Sequence, residues 1–380
     1  MSEIICHSCN GVLDTTDIEP FTVCDCLVCG AEVSIPLEME YLRLERFVGK
    51  KGIFKIYEGF DRIQNLNSII CILEKGHPEY KKFLNICKKD AMHLSTLKHP
   101  NISPILNFGE IGGNFFVTEP KMDGYPISHY SPATEKLSDV KNTINILLAV
   151  ASGIALAHHK EFVHHNLCAD NIHIDARGIA RTKNFFISRF EYSYHEGKKN
   201  APITVSPYYI SSEKVENHTE DKSGDVFSFG VLSYYMLTGK YPFSGKKEVD
   251  IVYSRINKKK NSDKSQAFSM EKPSVITAGA VDYVPPVAPV DICKNVPKTI
   301  SSLVMDMLSY YPQKRPKFTE IINTINLHMA GEEKEKDIAR AQQKMVRNKQ
   351  DFSTSTMAIP LMKNHAGEFN KNKKKFFDFF

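Results

Sequence analysis

Two cysteine pairs in the first 30 residues constrain the fold of this chain more than any other single feature. Each pair has the spacing Cys-x-x-Cys, Cys6 with Cys9 and Cys26 with Cys29. Two such pairs can place four thiolates around one Zn²⁺ in the tetrahedral geometry that this ion prefers. Because so short a segment buries little apolar surface, metal binding would supply most of its folding free energy. The spacing predicts a small zinc ribbon over residues 1–36.

The cysteine pattern leaves alternatives open. The thiols could instead be unliganded or form a redox pair, and Cys24 could replace Cys26, although its spacing to Cys29 fits a metal site less well. Nucleic-acid binding is a common use of zinc ribbons, but residues 1–36 hold six acidic residues and no Lys or Arg. Four thiolates add further negative charge, which repels phosphates. We therefore favour a structural or protein-binding role, and nucleic acid is the disfavoured partner.

Composition places the chain among ordinary globular proteins. Hydrophobic residues make up 42% of it and charged residues 24%, which excludes fibrous and wholly disordered classes. The longest apolar run, residues 144–157, is shorter than the roughly 20 residues that span a bilayer, so it predicts a buried helix. The first residues lack the basic and apolar regions of a secretory signal. We expect a cytoplasmic protein with reduced cysteines.

The main body contains four sequence blocks in a fixed order. From Tyr41 the chain predicts strand, turn, strand and helix, and from about Asn142 it becomes mostly helical. The blocks are residues 162–174 with Asn184-Phe185-Phe186 after them, residues 205–213 (VSPYYISSE), residues 225–243 (DVFSFGVLSYYMLTGKYPF) and residues 309–318 (SYYPQKRPKF).

In order and spacing, from Tyr41 to about Met329, these blocks resemble the eukaryotic-like serine/threonine protein kinase family. The resemblance implies an α+β fold of two lobes, a small β-rich amino-terminal lobe and a larger helical carboxy-terminal lobe, preceded by the Cys₄ zinc ribbon. The domains implied are residues 1–36, 41–330 and a charged helical or disordered tail, 331–380. Protein partners follow from the same resemblance.

The positions that stabilise the kinase fold match the family. His164 opens the catalytic-loop motif, and Asp225 corresponds to the carboxylate that accepts backbone N–H bonds from that loop. Glu213 and Arg315 match an ion pair that is buried in kinases. Breaking such a buried pair costs about 3–5 kcal/mol, so folding alone gives a reason to keep it.

The predicted nucleotide loop departs from the family. The kinase pattern of three glycines reads here as residues 49–57, GKKGIFKIY. Gly49 and Gly52 remain, but Lys51 and Phe54 replace the second and third glycines, and a Cβ at either position obstructs the approach of backbone N–H groups to phosphates. Gly49, Gly52 and Lys51 are thus weak candidates for nucleotide binding. An ordinary β-hairpin explains the segment equally well.

The chemical positions depart further from the family. The strand position of the kinase lysine is Cys71, and its helical carboxylate partner is Asp90, which is one methylene shorter and without its cation. The general base position is Asn166, whose amide cannot accept a proton at neutral pH. Cys168 replaces the lysine of the catalytic loop.

The two metal positions of the family are Asn171 and Asn184. Because Mg²⁺ binds chiefly through carboxylates and nucleotide phosphates, a pair of amides offers it no negative charge.

The resemblance implies ATP and Mg²⁺ as ligands, but these substitutions argue against the binding of both. They also leave no competent catalytic residue. They indicate a pseudokinase, a regulatory or scaffold binding module and not an enzyme. The alternative is a divergent serine/threonine kinase with ATP binding and weak phosphoryl transfer.

The last ten residues, Lys371–Phe380, combine four lysines with four phenylalanines. Basic and apolar residues together favour contact with an anionic membrane surface or with a groove of a partner. A solvated, disordered tail is the alternative.

Overall fold

The computed structural model describes residues 3–6, 8–130, 139–195, 206–217, 219–243, 245, 251 and 286–355. The chain divides into two compact units, Met1–Asn326 and Leu327–Phe380. The predicted ribbon and the predicted kinase-like body both lie in the first unit. In the second unit the described residues are helical as far as Ser355. The Lys- and Phe-rich end, Lys371–Phe380, lies outside the described residues, as do residues 252–285.

The amino-terminal ribbon consists of two antiparallel hairpins. Strand β1 (Glu3–Ile5) pairs with β2 (Val12–Asp14), and β3 (Val23–Asp25) pairs with β4 (Glu32–Ser34). In each hairpin the side chains alternate between the two faces. Leu13 and Val33 point inwards and pack with Cys6 and Cys26. The inner faces thus form a very small core that is centred on cysteines.

A six-stranded antiparallel sheet forms the β-rich lobe, in the order β5-β6-β7-β8-β10-β9. Its strands are β5 (Leu37–Met39), β6 (Leu42–Lys51), β7 (Phe54–Asp61), β8 (Leu66–Leu73), β9 (Asn107–Ile111) and β10 (Asn114–Pro120), with helix α1 (Tyr80–Leu94) between β8 and β9 in the chain. Leu42, Leu44, Ile70, Ile72 and Phe116 belong to the buried core of this lobe. Their alternation along neighbouring strands fixes the register of the sheet.

The carboxy-terminal lobe of the first unit is mainly helical. Its helices are α2 (Val140–His159), α3 (Phe185–His195), α4 (Ser212–Asn217), α5 (Lys222–Thr238), α6 (Pro289–Ile292), α7 (Lys298–Met307) and α8 (Phe318–Ser355), the last of which continues into the second unit. Helix α5 is buried along almost its whole length. A Cβ on Gly230 would lie 2.9 Å from Cβ of Met307, so this glycine permits the close packing of α5 against α7. A small sheet, β11 (Tyr125–Pro126), β12 (Ile172–Ile174) and β13 (Ala180–Thr182), carries the predicted catalytic loop.

One helix in the described part of the chain, α2, is long and apolar enough to cross a membrane by length and composition alone. Half of its apolar window is buried within the structure. Ile144, Leu147, Val150 and Ile154 are at most 3% exposed. Since these side chains pack inside the helical lobe, α2 serves as the buried core helix that the sequence predicts.

The two-lobe α+β architecture is confirmed. Helix α3 covers Phe185–His195 and begins directly after the predicted metal position Asn184. Residues 196–205 lie outside the described residues. This helix is central to the site because it packs against α1 of the other lobe.

Candidate functional site

Four thiols converge at the tips of the two ribbon hairpins. Sγ atoms of Cys6, Cys9, Cys26 and Cys29 all lie within 4.8 Å of one another. The Cys6–Cys29 distance is 3.7 Å and the Cys9–Cys26 distance is 3.6 Å, close to the ~3.8 Å edge of a tetrahedron with Zn–S bonds of about 2.3 Å. Hydrogen bonds from the backbone N–H groups of Cys29 and Val28 lower the pKa of the Cys26 thiol to about 7. This set of donors fits Zn²⁺.

The fifth thiol of the segment lies elsewhere. Cys24 is on β3, half-buried beside the small core, and does not belong to the group of four sulfurs. Cys26 follows β3 and donates its backbone N–H to the carbonyl of Ala31, which closes the second turn as Cys6 and Gly11 close the first. The matching turns favour Cys26 over Cys24 as the ligand.

A buried carboxylate holds the predicted catalytic loop to α5. Backbone N–H groups of His164 and His165 donate to Asp225 at 2.7 and 2.9 Å, and Nε2 of His158 lies 2.9 Å from the same carboxylate. Burial alone would raise the pKa of Asp225, but the His158 hydrogen bond and electrostatic interactions with His158, His164 and His165 together lower it to about 2. The ring of His164 is bonded through Nε2 to the carbonyl of Lys183. The loop is therefore held in shape on both sides.

The ion pair between Glu213 and Arg315 has two short contacts, 2.7 Å from Nη1 and 2.9 Å from Nη2. The Arg315 side chain is fully buried and that of Glu213 is 13% exposed. Arg315 also donates to the carbonyls of Ser309 and Ser223 at 2.8 and 3.0 Å. So many partners for one guanidinium fix α4 to the loop before α8.

The two predicted metal positions are hydrogen-bonded to each other. Nδ2 of Asn184 donates to Oδ1 of Asn171 at 2.8 Å, and Nδ2 of Asn171 donates to the carbonyl of Asn166 at 2.8 Å. Asn184 has a φ of 65°, a left-handed conformation that asparagine tolerates better than most residues. Because the Asn171 oxygen is already engaged and neither side chain carries a charge, this pair does not fit Mg²⁺.

The predicted position of the general base also departs from the family. Oδ1 of Asn166 is buried and has no hydrogen-bond partner among the described residues. Its neighbour Cys168 is 6% exposed, and burial raises the pKa of that thiol to about 11. Cys71, on β8 opposite Val117, is 5% exposed, and burial raises its thiol pKa as well. Both cysteines are therefore neutral at physiological pH and cannot replace the two lysines of the family.

The predicted nucleotide loop is a tight hairpin. Strands β6 and β7 pair as far as Lys51 and Phe54, with a two-residue turn that contains Gly52 at a φ of 55°. Gly49 has a φ of 154°, beside an irregularity in the pairing. Lys51 is exposed at the end of the hairpin, within electrostatic range of Glu119 and Lys183.

Aromatic side chains fill the space beneath this hairpin. Phe54, at the third-glycine position, is fully buried, with its ring centroid 4.8 Å from Phe190 and 5.4 Å from Phe186. Phe190 also contacts Phe83 of α1 at 5.3 Å, and Phe186 contacts Phe115 of β10 at 6.2 Å. We refer to Phe54, Phe83, Phe115, Phe186 and Phe190 as the aromatic cluster. It joins the hairpin, α1 and the sheet of one lobe to α3 of the other.

Helix α3 also supplies a cation that the sequence does not predict. Nη2 of Arg189 lies 3.5 Å from Oδ1 of Asp90, and the two side chains are 20% and 13% exposed. Asp90 thus lacks the lysine that the family resemblance implies at Cys71 but has another cation in Arg189. The cation comes from the segment after Asn184 and not from β8. Three residues further along α3, the Tyr192 ring stacks on that of His165, with ring centroids 3.6 Å apart.

A further carboxylate in the cleft was missed by sequence reasoning. Glu119 lies on β10, is 8% exposed, and its Oε2 is 3.4 Å from the backbone N of Asn184. Burial raises the pKa of Glu119 to about 7. Its position could have been predicted from strand alternation. Glu119 lies two residues after Val117 and therefore on the same face of β10, and Val117 pairs with Cys71.

The family model of the protein kinase domain matches residues 44–325 of the chain. The chain belongs to the protein kinase family. This assignment agrees with the two lobes, with the anchored loop at Asp225 and with the ion pair of Glu213 and Arg315.

Several bacterial serine/threonine kinases are similar to this chain. It is 28% identical to the serine/threonine-protein kinase PrkC of Bacillus subtilis over 211 residues, 56% of this chain and 32% of that protein. It is 25% identical to the probable serine/threonine-protein kinase pknA2 of Bifidobacterium longum over 221 residues, 57% of this chain and 28% of that protein. PknA of Mycobacterium tuberculosis is 24% identical over 224 residues, 56% of this chain and 50% of that protein. The chain thus spans half or less of these relatives.

Proposed function

We propose that this protein is a pseudokinase that acts as a regulatory or scaffold binding module. The observation that carries the proposal is the aromatic cluster together with the hydrogen bond between Asn171 and Asn184. Phosphoryl transfer depends on the placement of phosphates and on charges that stabilise the metal-bound transition state. Here buried phenylalanine rings stand beneath the hairpin, and two neutral amides stand where the family binds metal.

The contacts of helix α3 support the same proposal. Its Phe190 and Arg189 contact α1, while its Tyr192 stacks on the catalytic loop. A helix that contacts both α1 and the catalytic loop keeps the cleft in one arrangement, which suits a surface for binding more than a site that must open and close for nucleotide. We also propose a cytoplasmic location, protein partners, and Zn²⁺ as the ion held by the four thiols of the ribbon.

A divergent serine/threonine kinase is the second candidate. Two observations favour it: the relatives above are named as kinases, and Glu119 places a carboxylate near Asn184. Lys51 and Lys183 supply positive charge near that carboxylate. In this case ATP would occupy the cleft with a metal ion, and transfer would be weak.

Phosphoryl transfer from radiolabelled ATP, with Mg²⁺ or Mn²⁺, separates the two candidates. We expect no autophosphorylation and no labelling of myelin basic protein by the full chain. The double variant Asn166→Asp/Asn184→Asp should also remain inactive, because Cys71, Cys168 and the aromatic cluster are unchanged. Transfer by the wild-type chain that is lost in Glu119→Gln would instead establish the divergent kinase.

A further inference from the structure

The outer faces of the two ribbon hairpins carry an unusual arrangement of charge. On the first hairpin Glu3 lies directly opposite Asp14, and on the second Asp25 lies directly opposite Glu32. All four side chains are exposed. Like charges that face each other across two strands are destabilising. The fold thus tolerates two such pairs within one small module.

No cation from the described part of the chain relieves these pairs. Residues 1–36 contain no Lys or Arg. In the described ranges no lysine or arginine forms an ion pair with any of the four carboxylates, although acids of the β-rich lobe have such partners, for example Glu38 with Arg62 at 2.7 Å. Hydrogen bonds from Thr16 keep the pKa of Asp14 below its ordinary value, so this side chain is charged.

Apolar side chains lie next to the acid pairs. Ile5 faces Val12 one step along the first hairpin, and these side chains are 66% and 61% exposed. On the second turn Leu27 is 97% and Val28 is 71% exposed. A Cβ on Gly11 would lie 3.0 Å from Cγ2 of Val28, which places Val28 beside the residue that precedes Val12.

We propose that the outer face of the first hairpin, with Val28 and Leu27 of the second turn beside it, binds a basic, amphipathic segment of a partner protein. Aliphatic side chains of the partner would cover Ile5, Val12, Leu27 and Val28, and its Lys or Arg residues would lie against the facing carboxylates of Glu3 and Asp14. Charge complementarity selects this partner: nucleic acid and anionic membranes would be repelled, and an acidic segment would gain nothing. The inference rests on the proposed role as a binding module and not on the absence of catalysis.

Fluorescence anisotropy with defined peptides tests the inference on the full, zinc-loaded chain. The probe is an amphipathic helical peptide of Lys and Leu, compared with a peptide in which Glu replaces every Lys and one in which Ser replaces every Leu. We expect the Lys-Leu peptide to bind and both comparison peptides to bind at least about tenfold more weakly. Binding should weaken as salt is raised, because the charged groups are exposed.

Two matched pairs of variants locate the binding surface. Glu3→Lys/Asp14→Lys should weaken binding of the Lys-Leu peptide about tenfold, whereas Asp123→Lys/Glu333→Lys, which changes net charge equally outside the ribbon, should not. Val12→Ser/Leu27→Ser should weaken it similarly, whereas Ile63→Ser/Leu327→Ser, at sites 61% and 75% exposed, should not. The zinc content of each protein and its Tm report whether the ribbon is intact.

Equal binding of the Lys-Leu peptide by the wild type and both ribbon variants would overturn the inference. So would binding of the Glu-Leu peptide, or of RNA, that is tighter than binding of the Lys-Leu peptide. These outcomes are independent of the phosphoryl-transfer result. A catalytically active chain could still bind the peptide through the ribbon, and an inactive chain could fail to bind it.

Discussion

Glu119 is the residue whose chemistry departs most from its surroundings. It is a buried carboxylic acid whose Oε2 lies 3.4 Å from the backbone N of Asn184, and burial raises its pKa to about 7 although Lys51 and Lys183 act to lower it. A raised pKa means that the folded state prefers the neutral form. The stability that depends on this proton is fully present below the ordinary value of 4.5 and is lost as the pH rises through about 7.

The free energy of unfolding should therefore fall between pH 5 and pH 8 in a way that depends on Glu119. We expect Glu119→Gln to remove a decrease on the order of 2 kcal/mol over this range. Urea unfolding at several pH values measures it, with Glu333→Gln at an exposed position as the control. A wild-type pH dependence that survives unchanged in Glu119→Gln would contradict the assignment.

Phe54 stands at the position of the third glycine in the family pattern, and its ring is fully buried in the aromatic cluster. A glycine there would leave a void among the rings of Phe186 and Phe190, which are 1% exposed. Phe54→Ala should lower the free energy of unfolding by about 3–5 kcal/mol, as for other buried phenylalanines. Phe47→Ala, at a position 42% exposed on the adjoining strand, should cost much less. Equal effects of the two substitutions on chemical denaturation would argue against a tightly packed cluster.

At the scale of secondary-structure elements, α3 links the two lobes through its side chains. Its residues contact α1 through an aromatic pair and through the ion pair of Asp90 and Arg189. A double-mutant cycle with Asp90→Asn and Arg189→Gln should give a coupling energy of about 1 kcal/mol, since both side chains are largely buried.

The exposed pair of Asp337 and Arg340 in α8, with side chains 75% and 76% exposed, is the matched control. Its coupling should be only ~0.3 kcal/mol, because solvent screens both charges. Chemical denaturation of each set of four proteins gives both values. A coupling near zero for Asp90 and Arg189 would mean that α3 is held by its phenylalanines alone.

The ribbon should stabilise the β-rich lobe through one aromatic contact. The ring of Phe21, a residue with a φ of 68°, stacks on Tyr57 with centroids 5.4 Å apart. Because the ribbon has little core of its own, chelation of its metal should release this contact and lower the Tm by several degrees. Differential scanning fluorimetry with a chelator measures this shift.

The variant Phe21→Ala separates the contact from the metal. Its Tm should be lower than that of the wild type and should respond less to the chelator. Elemental analysis of the purified chain gives the expected ratio of one Zn²⁺ per chain. A wild-type Tm that is insensitive to chelation would contradict the coupling between ribbon and lobe.

Secondary-structure elements could be predicted from the sequence where the local hydrophobic pattern or a kinase-like sequence block indicates them. The apolar run of residues 144–157 predicts α2, and two of the four blocks contain most of α5 and the catalytic loop, because kinase helices and turns follow one another in a fixed order. Helix α3 was not predicted, although Phe186 and Phe190 have the i, i+4 spacing of one helical face. Its stability depends on Asp90 and Phe54, which are remote in sequence, and such tertiary contacts cannot be inferred from one segment. Glu119 was missed for the same reason, since its environment exists only in the folded cleft.

In the whole molecule, the residues that stabilise the fold match the protein kinase family, whereas those at the predicted catalytic positions differ from it. Asp225 and the pair of Glu213 and Arg315 keep their family contacts, and their loss would expose buried charge whether or not the protein is an enzyme. Cys71, Asn166 and Asn184 carry no charge in the places where phosphoryl transfer needs it. This contrast supports the proposed role as a binding module.

The melting temperature of the full chain with millimolar ATP, with and without Mg²⁺ or Mn²⁺, is the most direct test of the proposal that the cleft holds no working nucleotide site. A ligand that binds only the native state at a hundredfold excess over its Kd would add about 2.7 kcal/mol to stability. We predict no metal-dependent rise in Tm, while the same assay still detects chelation of the ribbon. A reproducible rise that requires ATP and the metal together, and that is lost in Glu119→Gln, would show a working nucleotide site and contradict the account.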